Sequence, residues 1–153
     1  GTQLTGLPEK TLQCCPNNKS PCVYIACESP PCNSSSTLRK EYFCDAVAFC
    51  AYHGLLLLEI DTQDKLINAL ETIGKFGHPD LGEIWVNARR INGSWVHVPS
   101  NTPVPKYYWV TTPKDNECAF GVTYPRMVLI TAPCNGKKRP VICVDPNKSL
   151  PVC

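Results

Sequence analysis

No apolar run in this chain approaches the roughly 20 residues that a bilayer-spanning helix needs. A dominant charge of one sign is missing too. Lys and Arg number 15 against 13 Asp and Glu, a formal net charge of +2. So small an imbalance leaves no electrostatic footprint for nucleic acid or an anionic membrane surface. Gly-rich phosphate loops, Walker patterns and metalloprotease motifs are absent. Histidine is scarce, with three in the chain. No local spacing pairs His53, His78 or His97 with a Ser or Cys nucleophile, and a triad cannot be read from sequence separation alone. These absences argue against an enzyme, a nucleic-acid binder and a membrane span. No signal peptide stands at Gly1, which fits a mature form with the signal removed.

Cysteine and proline, by contrast, are abundant. Eleven cysteines in 153 residues are too many for a reducing compartment, and a secreted, disulfide-bonded protein is expected. Asn-x-Ser sequons at Asn18, Asn33, Asn92 and Asn147 point the same way and are candidate glycosylation sites. Fifteen prolines imply a loop-rich backbone. The odd cysteine count leaves one thiol free or bridged to another chain, so a disulfide-linked dimer is a natural expectation.

The cysteines divide the chain. Residues 1–40 hold Cys14, Cys15, Cys22, Cys27 and Cys32 with prolines between and little apolar periodicity. This reads as an N-terminal segment ordered by bridges, or as a cysteine-rich tail that docks on the domain. Residues 41–153 read as the folded domain. Phe43, Ala46, Val47 and Cys50 fall on one helical stripe, and Gly54 is its stop signal. Leu55 to Ile60 follows as a buried extended segment. Asp61 or Thr62 can cap a second helix with Leu66, Ile67, Leu70 and Ile73 on its apolar face, ending at Gly74 or Gly77. Beyond Pro79 the pattern becomes β. Asn92-Gly93 marks a tight turn between Glu83–Ala88 and Trp95–Val98. The span 99–114 is a proline-rich excursion. Strands are expected at Glu117–Val122, Met127–Ile130 and Pro140–Val144, the last two joined by a turn at Asn135-Gly136. Two helices followed by short antiparallel strands make an α+β fold.

Several marks in this order resemble the C-type lectin-like domain. They are a cysteine on the first helix at Cys50, Trp85-Val86-Asn87 in place of Trp-Ile-Gly, and Gly93-Ser94-Trp95 in place of the family's Gly-x-Trp turn. Trp109 and Pro113 stand where the long loop carries tryptophan and a cis-proline. Cys118, Cys134 and the closing strand Arg139-Pro-Val-Ile-Cys143 complete the set. The resemblance covers about residues 42–144. It implies bridges Cys50–Cys143 and Cys118–Cys134. The pairing of Cys14, Cys15, Cys22, Cys27, Cys32, Cys44 and Cys153 stays open. Cys153 can reach Cys44 or the N-terminal segment, and the unmatched cysteine is expected in that segment or at Cys153.

Sugar-binding members of the family hold calcium with Glu-Pro-Asn or Gln-Pro-Asp in the long loop and Trp-Asn-Asp before the third cysteine. Here Thr112-Pro113-Lys114 and Leu129-Ile130-Thr131 stand in those places. Calcium needs several oxygen ligands with carboxylate charge, so no metal and no cofactor is expected. Zinc is disfavoured because paired ligand spacings are missing from the domain. The candidate ligand-binding loop is Tyr107, Tyr108, Lys114, Asp115, Asn116 and Glu117. Tyr107 and Tyr108 cannot both face inward on an extended segment, and an exposed tyrosine suits an interface. Arg89, Arg90 and Lys137–Arg139 read as solvated turns that could also meet a sulfated sugar or an acidic protein. The expected function is calcium-independent recognition of an extracellular protein. The alternatives are a glycan bound at a rearranged site, and a structural role in disulfide-linked assemblies.

Overall fold

A computed structural model describes residues 22–145 of the chain. Ten strands and two α-helices form within them. Helix α1, Phe43–Tyr52, buries Phe43, Ala46 and Cys50. It stops at Gly54, whose φ of 72° suits a residue without Cβ. Helix α2, Gln63–Phe76, begins where the Thr62 hydroxyl accepts from the Lys65 amide at 3.2 Å. It ends at Gly77, with φ of 69°. Both helices thus follow the expected capping chemistry.

The strands form small antiparallel sheets. β1 (Val23–Ile25), β10 (Ile142–Val144) and β3 (Leu56–Leu57) form one, with β10 in the middle. β2 (Lys40–Glu41) pairs with β9 (Arg139–Pro140). β4 (Glu83–Trp85), β7 (Cys118–Val122) and β8 (Val128–Ala132) form another three-stranded sheet. β5 (Ala88–Ile91) and β6 (Ser94–His97) form a hairpin. Its turn residues Asn92 and Gly93 have φ of 51° and 83°, the sign that a two-residue hairpin turn requires at both positions.

Several sequence expectations differ from this arrangement: the stretch Glu83–Ala88 is divided between β4 and β5 in separate sheets, and Arg139, read as a solvated turn, is buried on β9. Part of the stretch read as an N-terminal segment is sheet: β1 lies along β10, and Cys22, Tyr24, Ile25, Ala26 and Cys27 are buried. A three-residue strand is too short to show periodicity, so composition concealed it. The turn at Asn135-Gly136 forms, with the Gly136 amide on the Pro133 carbonyl at 3.1 Å, but it does not join β8 to β10. Both edges of β10 are taken by β1 and β3, and β8 pairs with β7. The cis peptides among the described residues precede Pro31, Pro99 and Pro125, not Pro113.

Two packed cores meet at the sheets. One gathers Leu58, Ile60, Ile84, Val86, Leu129 and Ile142 beneath α2. The other holds Phe43, Ala46, Leu57, Trp85, Phe120 and Val141 beneath α1. Trp85 is fully buried, and its indole N–H donates to the Glu41 carbonyl at 2.7 Å. The Arg139 guanidinium lies 3.9 Å from the Phe120 ring centroid and 4.7 Å from that of Trp85, while Nε donates to Glu83 at 3.1 Å. A cation held over aromatic faces and away from water gains about 2 kcal/mol or more.

Bridges close the structure. Cys50–Cys143 ties α1 to β10 across 93 residues, Cys118–Cys134 spans 16, and Cys27–Cys32 spans 5. Cys22 is also disulfide-bonded. Among the described cysteines Cys44 carries a free thiol and is exposed. The unmatched cysteine had been expected in the N-terminal segment or at Cys153. Cys44 sits in the first turn of α1 but off the buried stripe of Phe43, Ala46 and Cys50, so its side chain meets solvent instead of the core. It is the described cysteine open to a second chain. Cys14, Cys15 and Cys153 lie outside the described residues.

Candidate functional site

A cleft of about 380 Å³ opens between α1, β5 and the segment entering β7. Phe43, Cys44 and Val47 line it from the helix, Ala88, Arg89 and Arg90 from β5, and Asp115 to Cys118 from the loop. Helical spacing brings Phe43 and Val47 to one side, because residues four apart are neighbours on a helix. Alternation along β5 sends Arg89 and Arg90 to opposite faces of the strand, yet both reach the rim.

The charges in the cleft differ in how they are satisfied. Arg90 stands 3.1 Å from Asp115. Glu117 accepts the Thr131 hydroxyl at 2.9 Å, and that same hydroxyl oxygen accepts the Lys114 amide at 3.1 Å. Arg89 donates through Nε to Asn87 at 3.2 Å, and its guanidinium carbon lies 5.5 Å from the Phe43 ring centroid. Arg89 makes no ion pair among the described residues.

The candidate loop thus divides. Asp115, Asn116 and Glu117 line the cleft; Tyr107, Tyr108 and Lys114 do not. Tyr107 is 78% exposed, in the short helical turn Lys106–Tyr108. Tyr108 is half-buried, its ring 5.1 Å from that of Tyr107 and 6.2 Å from His97. Its phenol is held above the ordinary range, chiefly by burial and then by Tyr107. Trp109 packs on Trp95 at 5.1 Å. Phe43, Cys44 and Val47 were missed as lining residues. The sequence shows the helical stripe of Phe43 and Val47, but not that its edge, with Cys44 beside it, borders a cleft.

The other singled-out residues are accounted for. Asn92 is exposed at its hairpin turn. Asn33 is exposed, and its side-chain oxygen accepts the Ser35 amide at 2.9 Å. Asn18 and Asn147 fall outside the described residues. His53 packs edge-on against Phe49 and Tyr52. His78 meets the Ser36 carbonyl at 2.6 Å and accepts the Asp80 amide. His97 is 1% exposed, beside a buried ion cluster in which Lys65 lies 2.8 Å from Glu59 and 2.7 Å from Asp61. Burial holds the His97 imidazole below its ordinary pKa, and Glu59 and Asp61 offset this only in part.

Among Thr112–Lys114 and Leu129–Thr131, the positions singled out by the resemblance, Lys114, Leu129 and Thr131 are engaged within the fold. Leu129 is fully buried in the core, and its carbonyl already accepts the Val110 amide at 3.0 Å. The Thr131 hydroxyl accepts the Lys114 backbone amide and donates to Glu117. Among the described residues no three of His, Cys, Asp and Glu are grouped to hold a metal.

No family profile matches the sequence, and no curated protein matches it. Solved structures do. One, described as the SPL-1 GlcNAc complex, superposes with a TM-score of 0.61 at 13% identity, over 82% of this chain and 89% of its own. The mouse scavenger receptor C-type lectin carbohydrate-recognition domain gives 0.59 at 20% identity, over 90% and 100%. The chain has the C-type lectin-like fold. The Ca2+-independent C-type lectin SPL-2 from Saxidomus purpuratus shares it, with a TM-score of 0.59 at 15% identity over 82% and 88%. At these identities the likeness is one of architecture, on which ligands of many kinds are recognised.

Proposed function

We propose that the protein is a secreted recognition module of C-type lectin-like fold that binds a glycan at the α1–β5 cleft without calcium and without catalysis. The observation that carries this reading is the cleft itself. It is concave, and it sets guanidinium, amide and carboxylate groups around an apolar wall. Sugar hydroxyls both donate and accept, so a site of mixed donors and acceptors fits them. A solved neighbour described as a calcium-independent lectin supports the fold's capacity for such binding. Secretion is supported by three bridges among the described residues, and no described helix is long and apolar enough to cross a membrane. Asn33 and Asn92, both exposed, are the described residues proposed to carry glycans.

A protein partner, the first expectation from sequence, keeps one specific observation in its favour. Tyr107 and Val110 are 78% and 57% exposed on one short stretch of the long loop, and such aromatic anchors suit protein interfaces. A glycan array run with calcium and with chelator tests the main reading. Binding that is equal in both is expected. Binding only with calcium, or a melting temperature raised by millimolar calcium, counts against it. Loss of a captured protein partner on Tyr107→Ala, with a blank array, favours the second reading.

A further inference from the structure

We infer that the cleft takes an acidic saccharide, with the terminal nitrogens of Arg89 receiving its carboxylate. The inference rests on the reading of the cleft as a glycan site and names the class of glycan.

Arg89 is the basis. Arg39, Arg90 and Arg139 each stand within ion-pair distance of a carboxylate: Glu41 at 3.0 Å, Asp115 at 3.1 Å and Glu83 at 3.1 Å. Arg89 is half-buried, lines the cleft and has no such partner among the described residues. A guanidinium drawn partly out of water without a counter-ion is costly, and a ligand carboxylate removes that cost. Its orientation is set beforehand. Nε is committed to Asn87 Oδ1, and the guanidinium carbon rests over the Phe43 ring. The two terminal nitrogens are left for a planar anion, the geometry in which guanidinium and carboxylate pair through two parallel bonds.

The remaining lining decides between a bare anion and a saccharide. The Asp115 charge is matched by Arg90, and the Glu117 carboxylate is held by the Thr131 hydroxyl. Both keep lone pairs for ligand hydroxyls, and the exposed Asn116 amide can donate and accept. A simple inorganic anion would leave these acceptors idle and would face two carboxylates. A sugar acid uses both kinds of group, with its hydroxyls on the acidic side and its carboxylate on Arg89. Val47 and the Ala88 methyl supply apolar wall for the C–H face of the ring.

The test uses the full chain, in chelator, titrated with the methyl glycosides of glucuronic acid, its methyl ester and glucose. Heat of binding is read, along with the rate at which iodoacetamide alkylates the Cys44 thiol at the cleft. The uronate is expected to bind at least about 10-fold more tightly than its ester, since hydrogen bonds to a charged group exceed those to a neutral one, and to slow alkylation of Cys44. Arg89→Gln should remove that difference while melting at the wild-type temperature; Arg89→Lys should keep part of it. Arg126→Gln, an exposed arginine away from the cleft, should leave it intact. Equal binding of all three sugars, unchanged in Arg89→Gln, overturns the acidic ligand and leaves the glycan site standing. Binding of inorganic sulfate as tight as the uronate also overturns it. No sugar binding with unprotected Cys44, in wild type and variants alike, overturns the glycan reading itself.

Discussion

Two buried charged or titratable side chains show how single residues tie sequence to stability. Arg139 lies 6% exposed between Glu83 and two aromatic faces. A lysine there would keep the charge but lose the flat stacking surface and the sideways Nε bond. Arg139→Lys is therefore expected to lower unfolding free energy by about 2 kcal/mol, read from the urea midpoint at unchanged slope. A midpoint equal to wild type would show that charge alone matters there. His97 makes a prediction about pH. Its folded pKa lies below the ordinary value, first through burial, with Lys65 adding to the effect and Asp61 and Glu59 opposing it. As pH falls, the unfolded chain takes up the proton first, near pH 6.5. The unfolded state then binds more protons, so stability declines from about pH 6.5 down toward the lower folded value. His53, also lowered by burial and then by Arg39, adds in the same direction. Urea unfolding between pH 7.5 and 5.5 should show this loss, and His97→Gln should show a shallower one. An identical slope in the variant would clear His97 of any part.

Elements with local punctuation were legible in the sequence, and elements made by pairing were not. The α2 boundaries could be read because Thr62 and Gly77 act on the backbone next to them. Thr62→Ala should cost about 1 kcal/mol. Thermal melts would measure it, and no change would mean that the Lys65 amide finds another acceptor. The Asn92-Gly93 hairpin was legible for the same local reason. β1 was not, since three residues become a strand only when β10 lies beside them. β10 shows the same limit: the turn at Asn135-Gly136 formed, but β10 found its partners in β1 and β3, strands distant in sequence, while β8 paired with its neighbour β7. The cleft repeats the pattern. Asp115 to Glu117 are legible as part of a candidate ligand-binding loop, whereas Phe43 and Arg89 become their neighbours only through folding.

At the scale of the molecule, two of the bridges among the described residues, Cys50–Cys143 and Cys118–Cys134, differ in reach. In the chain-entropy picture, a closure of 93 residues contributes about 4.5 kcal/mol and one of 16 about 3 kcal/mol. Access runs the other way. Cys50 and Cys143 are fully buried, while Cys134 is part-exposed. Graded dithiothreitol with alkylation and peptide mapping should therefore open Cys118–Cys134 first, leaving a folded chain. Opening Cys50–Cys143 should coincide with global unfolding. Earlier loss of Cys50–Cys143 in a folded chain would break this ordering.

The seating of β1 on β10 bears on where the chain can be cut. Without residues 22–27, one side of β10 would present unpaired amides and carbonyls, flanked by Val141 and Ile142 newly open to water. A bare, apolar strand edge recruits other strands. A shortened chain starting at residue 41 is therefore at risk of self-association even with its cleft intact. Residues 22–27, which composition marks only as cysteine- and proline-rich, thus cover a strand edge that would otherwise be open to pairing.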